Sequence, residues 1–202
     1  PVMGLKASAE PVQVFENLTA HNRPGQFADA TRAVGLVAAP RVIGRGLAAA
    51  DYDNDGSMDI FIVRGAWLKT PLRPTLLRND GSGNFADVTA AAGLLHPVNS
   101  NSAQWADYDN DGCVDLFVAC EAQPNRLYRN RGEGTFEEVA SKAGVQGDGG
   151  MYKGCAWIQS DGDRFPDLFV TDLIGAARLF RNRGNGTFGD VTLSAGIDGP
   201  LQ

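Results

Sequence analysis

The sequence predicts an all-β fold built from four-stranded antiparallel blades of the kind that form β-propellers. A group of motifs recurs in the same order every 51 to 58 residues, as the positions of Phe27, Phe85, Phe136 and Phe188 show, and such a period is typical of propeller blades. Apolar runs of strand length lie at fixed places in each repeat, without a helical pattern of any length. Glycine makes up 25 of the 202 residues, which indicates a chain that turns often.

Each repeat begins with a strand of small and aromatic residues that runs into an acidic loop. The loop leads into a second strand, a continuous apolar run such as 60–63, as expected for a strand that is covered on both faces. A third strand contains an Arg-Asn pair and ends in a Gly-rich hairpin turn, as at 77–83. The fourth strand starts at the repeated Phe, and the Ala- and Gly-containing stretch behind it is long enough for one helical turn at most.

The repeats divide the chain into three full blades and one half blade, so we predict a partial propeller of about three and a half blades. The predicted segments are an N-terminal extension at 1–11, a half blade at 12–36, blades with acidic loops at 37–95 and 96–146, a blade with a degenerate loop at 147–197, and a C-terminal tail at 198–202.

The acidic loops predict calcium sites. Two loops read Asp-x-Asp-x-Asp-Gly-x-x-Asp, and alternate spacing directs their carboxylates towards a common point. Two carboxylates 4 Å apart repel each other by roughly 4 kcal/mol at an effective dielectric constant near 20, and a hard cation removes this cost. Calcium accepts six to eight oxygen ligands, including a backbone carbonyl at position 7. The predicted ligands are Asp51, Asp53, Asp55, Ser57 and Asp59 in the first loop, and Asp107, Asp109, Asp111, Cys113 and Asp115 in the second.

The third loop departs from this pattern. Gln159 replaces the first Asp, and Arg164 replaces the Gly that permits a sharp turn. Two calcium ions are therefore predicted, and a third is left open. An EF-hand is excluded, because position 12 is Ile62 or Val118 rather than Glu and strands follow the loops. The ligands of a third site would be Gln159, Asp161, Asp163, Phe165 and Asp167.

The combination of motifs resembles a known family. The acidic loop within a four-stranded repeat is similar to the FG-GAP/VCBS repeats of integrin α-subunit propellers. Together with Leu-Tyr-Arg-Asn-x-Gly-x-Gly-x-Phe at 127–136 and the Ala-Gly-Val that follows, it is closer to the bacterial ASPIC/UnbV proteins related to cartilage acidic protein. The resemblance covers 12–197 and implies an extracytoplasmic propeller with structural calcium and no chemistry at these loops.

Propellers of this family usually have seven blades, and three explanations for the difference stay open. The chain is a fragment of a longer one, another copy supplies the remaining blades, or the units stack as an open array. Open arrays expose apolar end faces, so we expect contacts with a protein partner or between copies of the chain.

Several other residues have predicted roles. Trp105 and Trp157 occupy equivalent first-strand positions, and we expect them to pack between blades. Trp67 has no counterpart and is the better ligand candidate. The Arg of the repeated Arg-Asn pair is expected to form hydrogen bonds with neighbouring carbonyls or carboxylates. The three cysteines lack metal-ligand spacing, and both one disulfide and three free thiols stay open.

The motifs predict a non-catalytic, calcium-binding scaffold for protein partners, and the family resemblance implies that it is secreted, periplasmic or on the cell surface. The net charge of −6 disfavours a protein that binds nucleic acid, and no apolar stretch is long enough to span a membrane. The alternative is a carbohydrate-binding propeller lectin. A propeller-based lyase is less favoured, because no acid/base pair stands outside the acidic loops.

Overall fold

The computed structural model of the chain describes residues 13, 15–18, 23–30, 32–33, 44–65 and 71–199. These residues form short strands and one short helix, which confirms the predicted all-β fold. The half blade contains β1 (Phe15–Asn17) and β2 (Phe27–Asp29). Blade 1 contains β3 (Gly44–Ala50), β4 (Asp59–Arg64), β5 (Thr75–Asn79) and β6 (Phe85–Asp87). Blade 2 contains β7 (Ser100–Ala106), β8 (Asp115–Cys120), β9 (Arg126–Asn130), β10 (Phe136–Glu138) and the helix α1 (Ala140–Ala143). Blade 3 contains β11 (Tyr152–Ile158), β12 (Asp167–Asp172), β13 (Arg178–Asn182) and β14 (Phe188–Asp190).

Each full blade is a four-stranded antiparallel sheet in which chain order equals spatial order. The acidic loop closes the hairpin between the first two strands, with Ala50 opposite Asp59 in blade 1 and Ala106 opposite Asp115 in blade 2. The first strand of every full blade carries a bulge near its start, as between Gly44 and Gly46. The sequence predicts that the first strand of blade 1 starts at Gly46, and the observed β3 starts at Gly44, on the other side of the bulge.

In two of the three full blades, the fourth strand is followed by a turn rather than a helix. The exception is α1, a single turn that ends at Gly144, whose φ of 82° is left-handed. Glycine adopts this conformation without steric cost. The structure thus confirms that no element longer than one helical turn follows the repeated Phe in the full blades.

The two main hydrophobic clusters lie between blades rather than within them. One joins Phe61 and Val63 of blade 1 to Leu116 and Val118 of blade 2. The other joins the opposite face of blade 2, including Phe117, to blade 3. The first strands lie side by side, with β7 between β3 and β11. Sheets that pack face to face with adjacent first strands are the arrangement of part of a β-propeller.

Among the described residues, the half blade contains the counterparts of the outer two strands of a blade. Phe15 of β1 corresponds in sequence to Leu77, Tyr128 and Phe180, which are buried against the second strand of their own blades. Phe15 is 55% exposed, because no second strand pairs with β1 among the described residues.

Candidate metal centres in the acidic loops

The first acidic loop brings three carboxylates together. Oxygen atoms of Asp51, Asp53 and Asp59 all lie within 4.8 Å of one another. The loop turns sharply at Asn54 and Gly56, whose φ values are 58° and 90°. The left-handed region is accessible to Asn and Gly at little cost, which is why these residue types occupy the two positions.

The second loop repeats this geometry. Asp107, Asp109 and Asp115 form the equivalent group within 4.8 Å, and Asn110 and Gly112 have the same φ values as their counterparts. Within the described part of the chain, the third loop forms no group of three acidic side chains of this kind. Asp161 and Asp163 are exposed there, and Gln159 offers no carboxylate.

The position-9 aspartates are held by the backbone. Asp115 is fully buried, and its oxygens accept the N–H groups of Tyr108 at 3.1 Å and Asn130 at 2.8 Å. Asp59 accepts the equivalent bonds in blade 1. Asp167 accepts them in blade 3, although the loop there is degenerate. This position therefore ties the loop to the third strand whether or not the loop carries a full set of carboxylates.

The position-1 aspartates order the turn of the loop. Asp51 accepts the N–H groups of Asp55 at 3.0 Å and Gly56 at 2.9 Å. Asp107 accepts those of Asp111 and Gly112 at the same distances. Gln159 stands at this position in the third loop, so a charged acceptor is missing from that turn.

The arginine of the Arg-Asn pair binds the carboxylates at positions 3 and 5. Arg129 donates from Nε to Asp109 at 2.7 Å and from Nη2 to Asp111 at 3.0 Å. Arg78 binds Asp53 and Asp55 in the same way. In the third loop, Arg181 lies 3.2 Å from Asp161. These contacts confirm the predicted pairing of the arginines with neighbouring carboxylates.

The arginines leave one carboxylate oxygen of each complete loop unsatisfied. The Oδ1 atoms of Asp53 and Asp109 are buried and accept no hydrogen bond. A buried carboxylate oxygen without a donor is costly, and a cation bound among the clustered carboxylates would remove that cost. Asp55 and Asp111 are not part of the two groups. Each pairs with its arginine and accepts the N–H group of residue 57 or 113, and their predicted role as ligands stays a prediction. The predicted carbonyl ligands at Ser57, Cys113 and Phe165 stay predictions.

The electrostatics of the two loops also favour a cation. Burial raises the pKa of Asp59 and Asp109 and raises the pKa of Asp115 to about 8, and neighbouring carboxylates add to each rise. Backbone N–H donors oppose this effect at Asp59 and Asp115. A bound divalent ion would favour the charged form of all three groups.

A family model for the FG-GAP-like repeat matches residues 66–118 and 107–170. The two overlapping matches together span more than half of the 202 residues. The chain belongs to the FG-GAP-like repeat family. The resemblance predicted from the loop and strand motifs is thereby confirmed.

The chain is similar to cartilage acidic protein 1 from two animals. It is 32% identical over 165 residues to the protein from Homo sapiens, and 30% identical over 179 residues to the protein from Mus musculus. These alignments cover 77% and 78% of this chain but 24% and 27% of the relatives. The chain therefore spans about a quarter of the length of the curated relatives it matches. Among solved structures, a lectin from Agrocybe aegerita, described by its specific recognition of non-reducing terminal N-acetylglucosamine, matches 71% of this chain and 36% of its own chain. Its TM-score is 0.44 and its sequence identity is 21%.

Adjacent FG-GAP-like repeats are joined through their acidic loops. The carbonyl of Tyr52 accepts Asn130 Nδ2 at 2.7 Å, and the carbonyl of Tyr108 accepts Asn182 Nδ2 at 2.8 Å. The Tyr52 ring also stacks on Trp105, 6.4 Å away in blade 2. Each loop thus places its position-2 residue in the next repeat. Sequence reasoning missed this role, although Tyr recurs at position 2 of the two complete loops.

A second contact links the loops directly. Asn54 donates from Nδ2 to the carbonyl of Gly112 at 3.3 Å, and Asn110 donates in the same way to the carbonyl of Arg164 at 3.4 Å. The repeat of Asn at position 4 was the sequence signal for this contact. The third loop has Gly162 at that position and Ser160 at position 2.

Of the other singled-out residues, Trp105 and Trp157 pack between blades as predicted, whereas Trp67 lies outside the described residues. Cys113, Cys120 and Cys155 are free thiols. In the described part of the chain, no helix is both long and apolar enough to cross a bilayer.

Proposed function

We propose that the chain is a calcium-binding, non-catalytic repeat scaffold that works outside the cytoplasm and binds other proteins. The observation that carries the calcium proposal is the buried, unsatisfied Oδ1 atom of Asp53 and Asp109, each beside two further carboxylates. Clustered oxygen donors without nitrogen or sulfur ligands suit a hard cation, and calcium tolerates the irregular geometry of a loop.

The bound ion would neutralise the charge of each loop. Asp51, Asp53 and Asp59 would hold one ion, and Asp107, Asp109 and Asp115 the other. The surrounding residues keep these carboxylates in place through backbone N–H donors and through Arg78 and Arg129. The third loop has no comparable group, so it is the weaker candidate for a further site.

Thermal unfolding in calcium and in chelator tests the proposal. Extracellular modules bind calcium with dissociation constants of about 10⁻⁴ to 10⁻³ M, so each site at the tight end contributes roughly 1.4 kcal/mol at millimolar calcium. We expect Asp109→Asn to lower the melting temperature in calcium and to have a smaller effect in chelator. Asp163→Asn in the third loop is the matched control. Equal losses for Asp109→Asn in both conditions would exclude Asp109 as a ligand.

The proposed location outside the cytoplasm is supported by the weak calcium affinity expected of such sites. Weak calcium sites are filled only where calcium is near millimolar, as it is outside cells. The name of the relatives, cartilage acidic protein 1, supports the same location. A scaffold role is supported by membership of a repeat family, because stacked repeats present extended surfaces to partners.

Carbohydrate binding is the second candidate function. A polar pocket of about 430 Å³ lies between blades 2 and 3 beside the second loop, and its walls include Tyr108, Arg129, Arg131 and Glu137. Such side chains can form hydrogen bonds with sugar hydroxyls. A glycan array, repeated with Arg131→Ala, would detect this function: glycan binding that Arg131→Ala abolishes would support the lectin over the protein scaffold.

A further inference from the structure

The face of blade 3 that is turned away from blade 2 lacks the residues by which adjacent blades bind each other in this chain. Twice, an acidic loop inserts Tyr at position 2 and Asn at position 4 into the next blade. In the loop of blade 3 these positions are Ser160 and Gly162. Ser160 has no ring to stack, and Gly162 has no side-chain donor.

The loop between the second and third strands of blade 3, at the end of the blade opposite the acidic loop, also differs from its counterpart in blade 2. The loop between the second and third strands of blade 2 is covered by the segment that leads into blade 3, and Ala122 donates its N–H to the carbonyl of Gly150 at 2.9 Å. The corresponding N–H in blade 3 belongs to Ile174, and it donates to Asp172 Oδ1 at 3.0 Å. Gly175 donates to the same oxygen at 3.2 Å. In this loop the two N–H groups therefore donate to a side chain of the loop itself, whereas in blade 2 the equivalent N–H group of Ala122 donates to the next blade.

The side chains around this loop are more apolar than their counterparts. Leu173, Ile174 and Leu193 stand where blade 2 has Glu121, Ala122 and Ser141. Ile174 is 81% exposed and Leu193 is 78% exposed. They line a groove of about 760 Å³ together with the carboxylates Asp148, Asp172 and Asp190 and the guanidinium of Arg178. No described residue covers these two aliphatic side chains.

The charged residues of the groove are fixed in place. Asp148 accepts the hydroxyl of the buried Tyr152 at 2.7 Å and forms an ion pair with Arg178. Arg178 also pairs with Asp190 at 3.2 Å. Three carboxylates and one guanidinium line the groove, so these side chains carry a net negative charge. A partner that fills it must bring positive charge as well as apolar side chains.

We infer that the groove at 148–150, 172–178 and 190–193 is a docking site for an extended, basic segment of a partner protein, with aliphatic side chains against Ile174 and Leu193. Charge complementarity supports the basic character. Continuity with the blade 2–blade 3 interface supports the extended form, because the equivalent loop of blade 2 is covered by an extended segment that binds through its backbone. The inference does not depend on calcium, since the groove lies at the opposite end of β12 from the acidic loop.

Fluorescence anisotropy with a labelled probe peptide tests the inference. The probe alternates arginine and valine around a central proline, which prevents the peptide from pairing with itself; a control probe has glutamate for arginine. We expect binding of the basic probe only, weakened by salt because the partner charges are exposed. The double variant Ile174→Ser/Leu193→Ser should weaken binding about tenfold or more.

The matched control is Leu47→Ser/Leu95→Ser, which removes two exposed aliphatic side chains outside the groove and should leave binding unchanged. Absence of binding by the natural chain, or equal binding by both double variants, would overturn the inference. It would also be overturned if sedimentation showed that the chain self-associates and that Ile174→Ser/Leu193→Ser abolishes this, because the occupant would then be a second copy.

Discussion

Aspartates within one acidic loop meet different partners. Asp109 keeps an oxygen that no donor reaches, whereas both oxygens of Asp115 accept backbone N–H groups. The position-9 residue is also present in the third loop, which lacks the position-1 carboxylate, and Asp167 makes the same bonds there. Position 9 therefore has a structural role in all three blades, and the unsatisfied oxygens make Asp53 and Asp109 the better candidates for metal ligands.

This distinction predicts the effect of Asp167→Asn. Asp167 is fully buried and accepts the N–H groups of Ser160 and Asn182. An amide presents a donor to one of them, so a buried donor is left without an acceptor, at a cost of about 2 to 3 kcal/mol. We expect this loss of unfolding free energy in calcium and in chelator alike. The control is Asp161→Asn, which removes an exposed charge. A loss for Asp167→Asn in calcium alone would instead make Asp167 a ligand.

At the scale of strands and loops, contacts between blades are carried by the Asn of the Arg-Asn pair. Asn130 and Asn182 each donate to a carbonyl of the preceding blade and to a carbonyl of their own blade. Their counterpart Asn79 has only the own-blade bond, to Met58 at 3.2 Å, among the described residues. The three asparagines therefore differ by one hydrogen bond across a blade interface.

The comparison predicts the stability of three alanine variants. Asn130→Ala and Asn182→Ala should each lower the unfolding free energy by about 1 to 2 kcal/mol more than Asn79→Ala, because they lose one additional buried hydrogen bond. Urea denaturation at fixed calcium measures the difference. If all three variants lose the same free energy, the bond across the interface contributes nothing to stability.

The strands could be predicted because their patterns recur. The apolar runs at 60–63, 116–119 and 168–171 lie within β4, β8 and β12, and each fourth strand starts at its repeated Phe. The spacing of the aspartates predicted which residues are close, but could not separate ligands from backbone acceptors. That separation depends on where the third strand places its N–H groups. The hydrogen bonds across blades were missed because they join residues more than 50 positions apart, and a pattern within one repeat does not contain them.

At the scale of the whole molecule, the positions of the two hydrophobic clusters determine which faces of the blades are exposed. Both main clusters lie between blades, so the central blade 2 is covered on two faces and β8 is buried along its length. The described residues cover blade 3 on one face only. Phe169 is half-buried, whereas its counterpart Phe117 is fully buried against the next blade. An uncovered face of this kind is why the sequence predicted contacts between copies of the chain.

The structure argues against such contacts between copies of the chain. Head-to-tail docking of two copies would place the third loop of one copy against blade 1 of the other. That loop has Ser160 for Tyr, and blade 1 has Ala49 where blades 2 and 3 have Trp. The aromatic stack that joins Tyr52 to Trp105 would therefore be absent. We expect light scattering at micromolar protein concentration to give the monomer mass of 21.4 kDa in calcium and in chelator. Multiples of that mass in calcium that dissociate in chelator would show instead that the apolar faces suffice for docking and that copies of the chain complete one another.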